Sequence, residues 1–371
     1  MTIQNIRRPE LRVPAELRSD HRTDVRTELR AGELPDLRTG ERTPTLGQVA
    51  ELAGVSIATA SRVLNNSAPV SVQARQQVRD AVVRLGYVRH RAAPSSPRGR
   101  VRSVAAVVCT NNTRFFADPF FAQVIGAATD VFTSNDVPLM VVVAPDDRVS
   151  IVERYLQSGH VDGVLLLASH GQHPLAVSLP AAGMPVTLVG RPMCATRASY
   201  VDADNRGGGR LAVEHLVGRG RRTIATIAGR QDMAAGADRL TGYKEALDAA
   251  GLAPTIAYGD FTHASGVHAM WRLLDQRPGL DAVFVASDIM AAGALHALRR
   301  AGRRVPDDVA VIGFDDLPLA QHTQPPLTTI RQPLERVGAV AAQRLIAALD
   351  GGTADVPDPV LPTTLVARAS A

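Results

Sequence analysis

The sequence predicts an α/β protein: an N-terminal three-helix helix-turn-helix headpiece followed by a two-lobed, doubly wound core. Three observations carry this. Apolar residues recur at helical spacing in three short blocks between Thr45 and Leu85. From Val104 onward, short runs of Val, Ile, Leu and Ala alternate with amphipathic stretches. Positive charge is concentrated ahead of that alternation.

Length and composition set outer bounds. A chain of 371 residues has room for two or three domains and a sizeable core. It is 45% hydrophobic and only 4% aromatic, which reads as globular rather than disordered. Cys109 and Cys194 form neither a metal-ligand spacing nor a disulfide framework, which fits a reducing cytoplasm. No apolar run reaches the roughly 18 residues of a membrane helix. The basic N-terminus lacks the apolar core of a secretory signal. Residues 45–103 hold nine arginines against Glu51 and Asp80, a net of +7. Residues 1–44, with nine arginines and eight acids, are nearly balanced, and the remainder stands at −3. Basic charge at this density is the electrostatic footprint expected of a phosphate-binding surface. Lys244 is the sole lysine, so arginine usage reflects a compositional bias and is not in itself a signal.

Taken in order, residues 1–44 repeat fragments such as PELR, AELR, TELR and PDLR among Pro, Thr and Asp, and predict a disordered polyampholyte tail. Residues 45–87 predict a compact helical unit. Leu46, Val49, Ala50 and Ala53 give a first helix, broken by Gly54-Val55. Ser56 is a good N-cap for a second helix in which Ala60, Val63 and Leu64 face inward. The glycine allows a sharp turn and the small Ala50 allows a close crossing. That is the geometry of a helix-turn-helix, whose second helix enters the DNA major groove, although an αα-hairpin without a DNA role has the same pattern. A loop over Asn65–Val70 follows. Ser71 then caps a third helix, Val72–Leu85, with the stripe Val78, Ala81, Val82 and Leu85. Residues 88–103 are basic, rich in Pro, Ser and Gly, and predict a linker.

Residues 104–371 predict the core. Strands are expected at Val104–Cys109, Leu139–Val143, Gly163–Leu167, Val186–Val189, Ile224–Ala228, Ile256–Tyr258, Ala282–Val285 and Val309–Phe314. Helices are expected near Phe120–Ser134, Ser150–Ser158, Gly207–Arg219, Arg239–Ala250, Ser265–Asp275 and Met290–Ala301. Continuous apolar strands between helices imply buried parallel sheets, here in two lobes of about five strands each. Ligands of such folds bind beyond the carboxyl ends of the strands, and clefts between lobes are favoured.

The headpiece TLGQVAELAGVSIATASRVLNN with VSVQARQQVRDAVVRLGY, then DPFF (118–121), VDGVLLL (161–167), VDADNRGGGRLAVEHLVGRG (201–220), DRLTGYKEAL (238–247), SDIMAAGAL (287–295), VPDDVAVIGFDD (305–316) and PPLTTIRQP (325–333) resemble, in order and spacing, the LacI/GalR family of transcriptional regulators. The resemblance covers roughly residues 45–370. It implies a helix-turn-helix headpiece, a hinge, and a periplasmic-binding-protein-like core that binds a small effector between its lobes. It also implies a homodimer on a palindromic operator in double-stranded DNA, with no catalysis and no cofactor. Repression is the family's usual outcome.

Residue by residue, the family's base-reading positions fall on Ile57, Ala58 and Arg62. An arginine there can pair bidentately with guanine O6 and N7, and Ile57 and Ala58 offer apolar contact to a thymine methyl. Ser56, Thr59, Ser61 and Asn65 suit phosphate or base hydrogen bonds, and Thr45 joins the DNA-binding set. In the core the resemblance assigns effector binding to Phe120, Arg191, Arg239, Phe261, Ser287 and Asp315. Arg239 offers a planar fork to ligand oxygens and Asp315 accepts from hydroxyls. Phe261 covers a sugar face. For Phe120 and Phe121 a core role competes. For Asp288 and Asp316 capping or pairing is the simpler role. The implied effector is a sugar or sugar derivative, with a nucleobase second.

Two departures stand out. The family's hinge usually carries a Leu that wedges into the minor groove, but Ser96 stands there, and Pro94 disturbs a helix outside its first turn. Gly190 replaces an acid often found before Arg191. The competing functions are an enzyme on the same core and a sugar-binding transport protein. The sequence holds no GxGxxG, Walker loop, HExxH or GxSxG; Gly207–Gly209 opens a helix but does not follow a strand in phosphate-binding fashion, and His170 and His173 fall on a polar loop with no matching nucleophile. The headpiece and the lack of a signal peptide oppose the transporter. The chain ends after LVARAS (365–370) without a Leu-heptad tail, which favours a dimer over a tetramer.

Overall fold

The computed structural model describes residues 45–65, 70–85, 102–352 and 359–371. The predicted tail (1–44) and most of the predicted linker, Pro94 and Ser96 included, lie outside the described residues. The described residues fall into two compact units, divided between Arg89 and His90.

The first unit is three helices: α1 (Leu46–Leu52), α2 (Ile57–Asn65) and α3 (Val72–Leu85). Local chemistry sets their ends. Thr45 caps α1 in a reciprocal box, its hydroxyl accepting from Gln48 N while Gln48 Oε1 accepts from Thr45 N at 2.7 Å. Gly54 takes the left-handed turn at φ +63°. Ser56 Oγ accepts from Thr59 N at 3.1 Å, and Ser71 Oγ from Ala74 N at 3.2 Å. Val49, Ala50, Ala53, Ala60, Val78 and Ala81 make the core, with Leu46, Val55, Val63, Val82 and Leu85 packed against it. The sequence reading put Asn65 in a loop; it is instead the last residue of α2, because the chain has no breaker until after it.

The second unit holds two parallel sheets. The first contains β1 (Val104–Val108), β2 (Leu139–Val143), β3 (Gly163–Leu167), β4 (Val186–Val189), β5 (Ser199–Ala203) and β11 (Val360–Leu361), in the order β11-β5-β4-β3-β1-β2. The second contains β6 (Ile224–Ala228), β7 (Thr255–Tyr258), β8 (Ala282–Val285), β9 (Ala310–Asp315), β10 (Thr328–Arg331) and β12 (Thr364–Val366), in the order β12-β10-β9-β8-β6-β7. Only β12, antiparallel to β10, breaks the parallel pairing among the described strands. In register, Val104 faces Leu139 on one side and Gly163 on the other. Strands β1, β3, β4, β6, β8 and β9 are buried on both faces, so they read as unbroken apolar runs.

Helices α4 (Asn112–Ala117), α5 (Pro119–Ser134), α6 (Val149–Tyr155), α7 (Pro174–Ala181) and α12 (Leu334–Leu349) belong to the first lobe. Helices α8 (Asn205–Gly218), α9 (Ala234–Ala249), α10 (His263–Gln276) and α11 (Asp288–Arg300) belong to the second. Strands β5, β10, β11 and β12 and helices α4, α7 and α12 add to the predicted elements. Cys109 lies just past β1. Strand β5 leads through Asp204 directly into α8, which Gly207–Gly209 open. Yet no phosphate cradle results: Asp204 Oδ1 takes Gly207 N at 2.7 Å, and a Cβ on Gly209 would stand 2.4 Å from the Arg239 carbonyl. Gly209 lets α8 and α9 touch.

The chain crosses between lobes three times: at Asp204 after β5, at Gln332-Pro333 before α12, and between β11 and β12. The first lobe begins where the linker ends: Ser103 N donates to Asp162 Oδ2 at 2.9 Å, and Arg102 pairs with Asp350. Among the described residues no helix is long and apolar enough to cross a membrane.

Candidate DNA-reading face and interlobe cleft

Helix α2 has two faces. Ala60 is fully buried and Val63 packs against the headpiece core. On the opposite side Ser56, Ile57, Ala58 and Arg62 are exposed, Ile57 by 59%. Thr59 and Ser61 are half-buried, and the Ser56 hydroxyl is shared between Thr59 N and Thr59 Oγ1, 2.9 Å away. The Thr45 hydroxyl is likewise committed to its cap and donates to Gln48 Oε1 at 3.1 Å. The side chain of Asn65 lies outside the described residues. The reading of Thr45, Ser56 and Thr59 as hydrogen-bond donors to DNA therefore gains a structural component: their oxygens first close helix ends.

The second site is a cleft in the core where strand ends from both lobes converge. It holds about 830 Å³ of empty space, open solvent at its mouth included. Phe120, Arg191, Arg239, Phe261, Ser287 and Asp315 all line it. The structure thus brings the six predicted core residues together. It adds Arg114, Asp118, Asp202, Asn205 and Gln332, which sequence reasoning missed. Phe121 lines it too but is only 1% exposed and is chiefly core.

Several strand ends here adopt rare backbone. Ala168 after β3 has φ +56°, Asp315 at the end of β9 has φ +114°, and Phe261 has φ +71°. Non-glycine residues at positive φ are held there by their surroundings and cluster at functional sites. Phe261 shows how: its ring tip lies against Gly229, where a Cβ would approach to 2.2 Å.

The floor of the cleft is a continuous polar circuit. Arg239, 4% exposed and mid-helix rather than at a helix start, donates from Nε to Asn205 Oδ1 (2.9 Å) and from Nη1 to the Ala286 carbonyl (2.6 Å). It pairs with Asp315 Oδ1 at 3.3 Å and lies 3.7 Å over the Phe314 ring. Asp315 Oδ1 also accepts from Gln332 Nε2 at 2.6 Å. Asn205 Nδ2 donates to Asp202 Oδ1 (2.9 Å), and Asp202 Oδ2 accepts from Arg191 N (3.2 Å). The circuit closes across the lobes where Arg191 Nη2 meets both oxygens of Asp238, at 2.7 and 2.8 Å. Burial pushes the Asp315 carboxyl up to about 7 against the pull of Arg239, and it lowers the Arg239 guanidinium. Burial also raises Asp118 and Asp202.

The remaining predicted residues have structural work. Ser287 caps α11, accepting from Met290 N at 3.3 Å. Asp288 is buried and accepts from Thr329 Oγ1 (2.6 Å) and Leu317 N (2.8 Å). Asp316 pairs with Arg331 (2.7 Å) and Arg368 (2.6 Å). His173, expected on a polar loop, is 3% exposed, because α7 packs it against Cys109, Sγ to Nδ1 3.9 Å. His170 bridges lobes, 3.1 Å from Asp146 and 3.6 Å from Asp232.

Comparison with known proteins bears on both sites. Residues 45–90 match the family model for "Bacterial regulatory proteins, lacI family", and residues 213–371 match that for "Periplasmic binding protein-like domain". The chain is 46% identical to the HTH-type transcriptional regulator CelR of Thermobifida fusca, over 89% of this chain and 98% of that one. It is 32% identical to the Ribose operon repressor of Halalkalibacterium halodurans, over 87% and 96%. A solved transcriptional regulator CelR–cellobiose complex superposes with a TM-score of 0.71 at 44% identity, covering 88% of this chain and all of that one. The lac repressor dimer bound to operator and the anti-inducer ONPF does so with a TM-score of 0.65 at 27% identity, covering 89% and 99%. This chain belongs to the LacI family of transcriptional regulators.

Proposed function

We propose that the chain is a repressor whose operator affinity is set by a neutral sugar bound between the core lobes, and that the sugar is a β-glucoside disaccharide of the cellobiose type. The observation that carries this is the charge balance of the cleft. Arg191 is spent on Asp238, Arg239 on Asp315, and Arg114 is faced by Asp118, Asp260 and Asp315, so the cleft offers no surplus positive charge to an anionic ligand. Asp118, Asp202 and Asp315 line the same space with acceptors suited to hydroxyls. The relative co-crystallised with cellobiose, at 44% identity, supports the disaccharide. Two copies reading a palindromic operator in cytoplasmic DNA follow from the fold's kinship with the lac repressor dimer bound to operator. Arg62 supplies the guanine contact, and Ile57 and Ala58 the apolar ones. Thr45, Ser56, Thr59, Ser61 and Asn65 position the backbone.

The circuit supplies the coupling. A ligand that exchanges hydrogen bonds with Asp202, Arg239 and Asp315 changes the relative stability of lobe positions, and linkage then requires that DNA change sugar affinity by the same factor. The test selects an operator from a random duplex pool, then measures its affinity by fluorescence anisotropy with cellobiose, glucose, galacturonate or adenine. Cellobiose is expected to shift the operator Kd at least tenfold, with the others weaker. A shift by galacturonate or adenine but not by cellobiose would overturn the neutral-sugar reading.

A further inference from the structure

The cleft contains one cation that the circuit does not use. Arg114 sits on α4, a helix fixed by its own cap, since Asn111 Oδ1 accepts from Arg114 N at 2.9 Å. Its guanidinium reaches across to the second lobe and stands 5.3 Å from the Phe261 ring centroid. Its Nε is shut off from water and has no hydrogen-bond partner. Asp118, Asp260 and Asp315 face it, opposed by Arg230, and burial nonetheless lowers the guanidinium from its ordinary value. A protein that needed this arginine for stability would give a sealed donor an acceptor. Here the arginine lines the cleft, beside a ring held at positive φ.

We infer that Arg114 is a binding and specificity-determining residue for the effector: its guanidinium Nη groups donate to a ring, glycosidic or hydroxyl oxygen of the sugar, and its stacking on Phe261 ties that contact to the position of the second lobe. This deepens the proposed function and rests on it. One arginine then does two things. It rewards a ligand long enough to carry an oxygen to α4, and it makes lobe position depend on that oxygen.

The test is calorimetric titration of the full chain with cellobiose, beside thermal unfolding without ligand, for the wild type, Arg114→Ala, Arg114→Lys and Phe261→Leu. Arg114→Ala is expected to weaken cellobiose at least tenfold while the ligand-free Tm stays within about 2 °C of wild type or rises, because the donor it removes is unsatisfied. Arg114→Lys keeps the charge without the fork and should recover less than half of the lost affinity in free-energy terms. Phe261→Leu should weaken binding through loss of the stacking partner. A lower Tm with unchanged affinity would mark Arg114 as a structural residue and overturn the inference. So would unchanged affinity at unchanged Tm. A wild-type protein that binds no cellobiose overturns the sugar reading itself and this inference with it.

Discussion

Arg239→Met is the sharpest perturbation the core offers. The side chain is 4% exposed and engages four groups: Asp315 at 3.3 Å, Asn205 Oδ1 at 2.9 Å, the Ala286 carbonyl at 2.6 Å and the Phe314 ring at 3.7 Å. Methionine fills similar space but leaves a buried carboxyl without its cation and two acceptors without a donor. Removing one partner of a buried pair costs about 3–5 kcal/mol, and the orphaned neutral acceptors fall within that figure because the contacts are not independent. For a unit of this size the loss is roughly 6–20 °C in Tm. The cost should depend on pH in a definite direction. Below about 7 Asp315 is protonated in the fold, and losing its cation matters less. Above 7 the carboxylate must be buried alone or drag water in with it. Urea unfolding of wild type and variant at pH 5.5 and 8 reads both effects. Below its Tm the variant should still bind operator, yet no longer respond to effector. A destabilisation under about 1 kcal/mol at pH 8, or one larger at pH 5.5, would show that Arg239 and Asp315 are not a buried pair, and the reasoning about the cleft would fall with it.

Three further outcomes follow. Asp315→Asn should flatten the pH dependence of stability: with the folded pKa raised from 3.8 to about 7, the folded chain holds a proton the unfolded chain has lost, so stability falls as pH rises from about 4 to 7, by up to ~1.4 kcal/mol per unit, and the loss is complete above 7. Denaturant midpoints at half-unit steps check it, and identical slopes for the two proteins refute it. Arg62→Ala should relax base preference at one position per half-site by about 1–3 kcal/mol, whereas uniform weakening over all sequences with a shallower salt slope would mark a phosphate contact. Gly209→Ala drives a Cβ to 2.4 Å from the Arg239 carbonyl, so differential scanning calorimetry should show a loss of about 1–3 kcal/mol from the separation of α8 and α9.

What the sequence revealed, and what it hid, divides along the range of the determining interaction. The headpiece helices were legible to within a residue because Ser56, Gly54 and Ser71 are local signals whose hydrogen bonds reach three residues. Five of the predicted core strands, β3, β4, β6, β8 and nearly all of β1, were legible because burial on both faces forces continuous apolar runs. Strand β10 was hidden because Thr328 and Thr329 look polar; their hydroxyls are paid for by Arg368 N and Asp288 Oδ1, partners 40 and 41 residues away. Helix α7 was hidden by Pro174 and Pro180. The predicted alternation also stops at Phe314, although Leu334, Val337, Ala341 and Leu345 repeat at helical spacing in α12. In the cleft, Arg239 and Asp315 were reachable through a motif. Arg114, Asp202, Asn205 and Gln332 were not, because their convergence depends on where the chain crosses between lobes.

Those crossings also explain why the cleft is an effective place to set a switch. Asn205 and Gln332 sit at two of the three crossings, and each is bonded into the polar circuit: Asn205 to Arg239 and Asp202, Gln332 to Asp315. Any rotation of one lobe on the other pivots about these segments and so bears on the bond from Asn205 to Asp202, which joins the first lobe to the second. Opening would part Arg191 from Asp238, the pair that spans the lobes, while Arg239 and Asp315, both on the second lobe, stay together. A ligand need not be bound tightly to act on such an element; it must satisfy Asp202, Arg239 and Asp315 better in one arrangement than in the other. A difference of about 1.4 kcal/mol, on the order of one net hydrogen bond, shifts the balance tenfold. A sugar exchanging several hydrogen bonds with these residues has that difference available several times over, so the selectivity of the response rests on which oxygens it presents rather than on how much surface it buries.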